Sequence, residues 1–104
     1  MPTVTIRIPT PLRSYTQGAD EVRAEGTTVA EALRALGAAH DGLLPRVLDA
    51  EDRPRQFVNI YLGSTNVSVL DGMATQVKDG DIISIIPAVA GGQYESQGFA
   101  PRRT

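Results

Sequence analysis

The chain has 104 residues and a mass of 11.1 kDa, enough for one small domain, and its 41% hydrophobic and 21% charged residues are ordinary for a globular protein. With no Cys and a single His, a thiolate nucleophile, a disulfide framework and a Cys-ligated zinc or iron–sulfur site are excluded. The net charge of −2 argues against nucleic acid, no apolar run approaches the ~20 residues of a membrane span, and the N-terminus lacks a signal-peptide pattern; a cytoplasmic protein is expected.

Thr3–Ile8 alternates, with Val4, Ile6 and Ile8 on one face and Thr3, Thr5 and Arg7 on the other, the period of a half-buried strand. Pro9, Pro11 and Gln17–Gly18 then break the chain into a turn region, with Leu12 placed to cover the open end of the core. Glu21–Ala24 alternates again and reads as the hairpin partner of the first strand. Thr28 followed three residues later by Glu31 forms a capping box. Val29, Leu33 and Leu36 share one helical stripe with Ala32 beside them, while Glu31 and Arg34 face water. This predicts a helix packed on a sheet and ended by Gly37 or Gly42. His40 reads as a solvated cap near the helix dipole. It has no second His or Cys to share a metal with and no adjacent nucleophile to serve as a base.

Asp41–Leu48 reads as a loop with a short helical turn, and the charge-dense Asp49–Arg55 as an exposed loop. Phe57–Leu62 is a third strand: Val58, Ile60 and Leu62 point into the core, and Phe57, Asn59 and Tyr61 outward. Gly63–Asn66 is a turn, Val67–Leu70 a short edge strand, Asp71–Gly72 another turn and Met73–Val77 one helical turn. Lys78–Asp81 turns the chain into the final strand, Ile82–Ile86. Parity sends Ile83 and Ile85 inward and Ile82, Ser84 and Ile86 outward. Ile86, Phe57 and Tyr61 would then form an exposed apolar patch of the kind that marks an interface, unless loops or an oligomeric partner cover it. The pattern alone is that of an α+β sheet with one face covered by a helix.

Pro87 cannot donate to a ladder, so regular pairing should end there. Only the small residues Ala88, Val89, Ala90, Gly91 and Gly92 follow, and five extended residues reach at most ~18 Å. Such a slim tether can pass a narrow channel and let a catalyst close on the backbone. A double Gly by itself is a flexible loop; its place after a strand and a Pro gives it weight. Gln93–Thr104 is polar, broken by Gly98 and Pro101, and expected to be disordered alone. Arg102–Arg103 is too short to argue for RNA or membrane binding. Residues 1–92 carry eight basic and eleven acidic side chains, a net −3, and the remaining stretch carries +1.

Phe57-Val-Asn-Ile-Tyr61, Asp79-Gly-Asp81 and Ile86-Pro-Ala-Val-Ala-Gly-Gly92 together resemble the ThiS/MoaD family of ubiquitin-like sulfur carriers, most closely its CysO branch, over residues 3–92. The resemblance implies a β-grasp fold, a mixed sheet of four to five strands with one main helix on one face, over residues 1–90. It implies that residues 91–92 are the functional terminus, Gly92 being adenylated and then thiocarboxylated. Ala88, Val89, Ala90 and Gly91 would lie in a partner's active site, while Phe57, Tyr61 and Ile86 meet that partner. In the family the Gly is terminal, whereas here residues 93–104 follow and block its carboxylate as the amide to Gln93. A precursor cut between Gly92 and Gln93, by a JAMM-type zinc protease, is therefore expected.

The partners so implied are an E1-like adenylating enzyme of the ThiF/MoeB type, a sulfur donor protein and a sulfur-accepting synthase making cysteine or another sulfur-containing metabolite. ATP would be used by the activating partner, and no cofactor or metal is expected on this chain. No nucleophile–base pair or phosphate-binding Gly loop stands in the sequence, so the domain reads as a protein co-substrate with no catalytic residue of its own. The competing expectation is a non-covalent ubiquitin-like binding module whose Gly-Gly is vestigial.

Overall fold

A computed structural model describes residues 1–87. Its centre is a pair of strands from opposite ends of that stretch. β1 (Thr3–Arg7) and β5 (Ile82–Pro87) run parallel, Thr5 facing Ile82 and Arg7 facing Ser84. β2 (Glu21–Glu25) pairs antiparallel with β1, and β3 (Val58–Leu62) pairs antiparallel with β5. β4 (Thr65–Asn66) closes the far edge, giving the order β2-β1-β5-β3-β4. The alternation expected of the first, second and final strands holds, and Ile60 is the buried centre of β3: Val4, Ile6, Ala24, Ile60, Ile83 and Ile85 are all buried.

α1 (Val29–Ala39) supplies the other half of the core with Val29, Ala32, Leu33 and Leu36. Its start is pinned three ways. Thr28 Oγ1 accepts from Glu31 N (3.2 Å), Thr75 O accepts from Val29 N (3.0 Å), and Glu31 Oε1 accepts from Thr27 N (2.8 Å) and Thr27 Oγ1 (2.7 Å). The carboxylate thus grips Thr27, one residue ahead of the donor that a capping box would use. These hydrogen bonds hold the Glu31 carboxyl below its ordinary value of 4.5.

Four expectations are corrected. Gly37 lies inside α1, which runs on to a C-cap at His40; a Cβ there would come within 2.9 Å of Leu44 Cδ2, so the glycine serves the packing of α2 (Leu44–Val47) on α1. The break after β1 is a 3-10 helix, Thr10–Thr16, because prolines suit a helical first turn. Val67–Val69 is also 3-10 rather than an edge strand: Asn66 Oδ1 accepts from Ser68 N (2.9 Å) and turns the chain out of the ladder after β4. Finally, β5 extends through Pro87, which faces Val58.

The last two elements before β5 are short. Gly72–Ala74 is a single 3-10 turn, after which Gln76 bridges to Thr28. Asp49–Arg55 is exposed except for the half-buried Asp49 and Pro54, as its charge demands. Among the described residues no helix is long and apolar enough to cross a membrane.

Candidate functional site

β5 brings the chain to the end of the sheet where β1 finishes and β3 begins, so the root of the tail lies between Arg7 and Val58. Four isoleucines set the two faces there. Ile83 and Ile85 are buried, whereas Ile82 and Ile86 are 42% and 43% exposed. Ser84 is half-buried between Arg7 and Tyr61, its neighbours across the sheet.

The three residues expected to form an outward patch are placed unequally. Ile86 sits opposite Asn59, and Tyr61, half-buried, is its diagonal neighbour on the same face. Phe57 is 52% exposed but stands just outside β3 with φ at +68°, so strand parity does not set its direction. A left-handed backbone is costly for a bulky residue and appears where surroundings fix it. Beside this face, Asn66 Nδ2 donates to Asn59 Oδ1 (3.3 Å), tying β4 to β3.

Two prolines shape the edge at the tail's root. Gly63 N donates to Ile82 O (2.8 Å) on the β3 side, and Thr5 N donates to Asp81 O (2.9 Å) on the β1 side. The alternation therefore turns the backbone groups of 83, 85 and 87 towards β1. Pro87 lacks its N–H on the side where it has no ladder partner, so β3 keeps its full pairing. Pro9, in turn, has no N–H to offer the Ile85 carbonyl, and the parallel ladder stops at Arg7–Ser84.

A groove of about 410 Å³ opens there, lined by Pro9, Thr10, Ile86 and Pro87 and by the guanidinium-bearing Arg7 and Arg13. Arg13 Nε donates to Ile8 O (3.0 Å), while Arg7 Nε lies 3.8 Å from Glu21 Oε2 in an exposed ion pair. The strand pattern concealed these two arginines, because they come from β1 and the 3-10 helix that follows it. Pro9 directly after an alternating run was the available signal.

Ala88, Val89, Ala90, Gly91, Gly92 and the Gly92–Gln93 bond lie outside the described residues. The arrangement around Pro87 is thus a platform, apolar on the Ile86 side and basic on the Arg7–Arg13 side, from which the chain departs.

The sequence model of the ThiS family matches residues 6–92. Sulfur carrier protein CysO of Mycobacterium tuberculosis is 41% identical over 91 residues, which cover 86% of this chain and 98% of that protein. A chain in the crystal structure of the Amycolatopsis orientalis BexX/CysO complex superposes with a TM-score of 0.79 at 42% identity, covering 86% of this chain and 99% of its own. The crystal structure of M. tuberculosis CysO gives a TM-score of 0.78 at 39% identity, over 83% of this chain and 99% of that one. Family match, sheet order and helix placement agree, and the chain belongs to the ThiS family, with the ubiquitin-like β-grasp fold.

Proposed function

We propose that this protein is a sulfur carrier made as a precursor, whose working group is the carboxylate freed at Gly92 when residues 93–104 are removed. One observation carries the reading: the family match stops at Gly92, the second glycine of the tail, twelve residues before the last residue of the chain. The mycobacterial sulfur carrier, aligned over 98% of its own length, takes up only 86% of this chain, in keeping with an added segment.

The chemistry follows from the weakness of a carboxylate as an acyl donor. An adenylating enzyme of the ThiF/MoeB type joins the Gly92 carboxylate to the α-phosphate of ATP and releases pyrophosphate. Sulfide can then displace AMP and leave the thiocarboxylate. Alternatively, the terminal sulfur of a donor protein's persulfide displaces AMP to give an acyl disulfide. A thiol then attacks the donor's sulfur, frees the thiocarboxylate and is itself left in a disulfide. The thiocarboxylate passes its sulfur to a synthase that makes cysteine or another sulfur-containing metabolite. This domain contributes no catalytic group; it presents the tail.

Presentation is where the described residues matter. Ile86, with Tyr61 diagonal to it and Phe57 nearby on the chain, offers the enzyme apolar area beside the tail's root. Ala88–Gly91 carries no side chain larger than Val89, so it suits a narrow active site. Before any of this, the Gly92–Gln93 amide must be cut, a task for a JAMM-type zinc protease.

ATP–pyrophosphate exchange with the adenylating enzyme of the same organism tests the reading on chains 1–92 and 1–104. Exchange is expected from the shorter chain alone. Equal exchange from both would remove the precursor step. No exchange from either would favour a non-covalent ubiquitin-like binding module.

A further inference from the structure

A cavity opens among the described residues on the helix side, away from the Ile86 face. α1 leans over the β2 side of the sheet, which leaves the inner face of β3 incompletely covered. There a cleft of about 740 Å³ opens, with Ala30, Val58, Val67 and Met73 among its apolar lining. Its volume lies in the range of ligand-binding pockets. Glu31, Glu51 and Asp52 line its rim against two cations, Arg34 and Arg53. Both cations are engaged in exposed ion pairs, Arg34 with Asp52 at 3.6 Å and Arg53 with Glu51. Pairs of that kind cost little to exchange.

We infer that this cleft is the docking site for the chain's own C-terminal extension, with Phe99 as the anchor. Three observations converge. Pro87, the last described residue, pairs with Val58 of β3, and Val58 lines the cleft, so the seventeen residues that follow start beside it. Phe99 is the one large, wholly apolar side chain in the extension, and it is the twelfth residue after Pro87, a reach of up to ~40 Å. The rim's excess of one negative charge meets a segment with Arg102, Arg103 and the single acid Glu95, and both arginines follow within four residues of the anchor.

Tethering makes a weak contact sufficient. A segment joined to the domain by a short linker acts at a millimolar effective concentration, so Phe99 docks in cis even where the free peptide would bind poorly. Docking closes residues 88–98 into a loop with Gly92–Gln93 near its middle. Such a loop offers that bond to a protease, while the tail cannot extend into an activating enzyme. Once the bond is cut, the extension loses its tether and leaves. The docking itself is independent of the sulfur-carrier reading; only this consequence rests on it.

Amide 1H–15N spectra of chains 1–104, 1–92 and 1–104 carrying Phe99→Ala test the inference without any partner. The full chain should differ from chain 1–92 at Val58, Val67, Met73 and Ala74, and Phe99→Ala should return those signals to their positions in chain 1–92. The differences should not change on dilution, and the free peptide 93–104 should reproduce them only at millimolar concentration. Cleft signals that coincide in all three chains, with changes confined to the neighbourhood of Pro87, would overturn the inference. Differences that fade on dilution would overturn it too, since the occupant would then be a second copy's extension.

Discussion

Four isoleucines on one strand do opposite work. Ile83 and Ile85 are buried in the core, whereas Ile82 and Ile86, on the other face and one residue away in each case, keep 42% and 43% of their surface in water. A core needs the first pair for stability. A monomer gains less from the second, because the apolar area left in water contributes no burial energy. Identical side chains at alternate positions therefore separate the face that closes the core from the face proposed to meet the activating enzyme.

The sharpest way to break that contrast is to place the same charge on each face. Ile85→Asp would bury a carboxylate with no partner, a penalty comparable to the whole stability of a small domain, roughly 5–15 kcal/mol. Loss of the cooperative unfolding transition is the expected result. Ile86→Asp should leave unfolding within about 0.5 kcal/mol of the parent, as surface changes do. It should also slow activation of chain 1–92 about tenfold or more, by desolvating a charge at the contact. Unfolding by Ile86→Asp, with Ile85→Asp tolerated, would mean that the two faces are exchanged.

The helix gives a second, smaller contrast between burial and capping. Leu33 is fully buried, and Leu33→Ala should cost ~2–5 kcal/mol by chemical denaturation. Thr28→Ala removes one cap hydrogen bond and should cost about 1 kcal/mol. Equal effects would show that the stripe is not what holds α1 to the sheet.

Glu31 supplies the smallest effect, visible through pH. Its folded pKa is lowered, chiefly by hydrogen bonds from Thr27, so its contribution is fully present above the ordinary 4.5 and is lost as pH falls through the lowered value. Glu31→Gln should therefore lower stability slightly at neutral pH and flatten the acid limb of a stability–pH profile, the two chains converging below the lowered pKa. An unchanged acid limb would remove the Thr27 contacts from the account.

Most of the frame was legible because period-2 runs are hard to mistake. Val4, Ile6 and Ile8 fixed β1's inner face, Ile83 and Ile85 fixed that of β5, and Thr28 with Glu31 marked the start of α1. The failures have local causes. Val67–Leu70 has strand composition, but the Asn66 side chain caps a 3-10 turn there, a choice between local hydrogen bonds that composition does not reveal. Phe57 shares β3's parity yet has a left-handed backbone, so its place in the patch could not be read from alternation. Arg7 and Arg13 are six residues apart in sequence and meet in one groove only because Pro9 ends the parallel ladder. The β1–β5 pairing itself joins residues far apart in the chain, and it was legible only through the resemblance to a known fold.

Intact-mass measurement of the protein purified from its native host decides whether the Gly92 carboxylate is freed and loaded with sulfur. The expected mass is that of a chain ending at Gly92, part of the population being heavier by the difference between one sulfur and one oxygen atom. A population consisting only of the 104-residue chain, with no shorter species during growth on limiting sulfur, would contradict it.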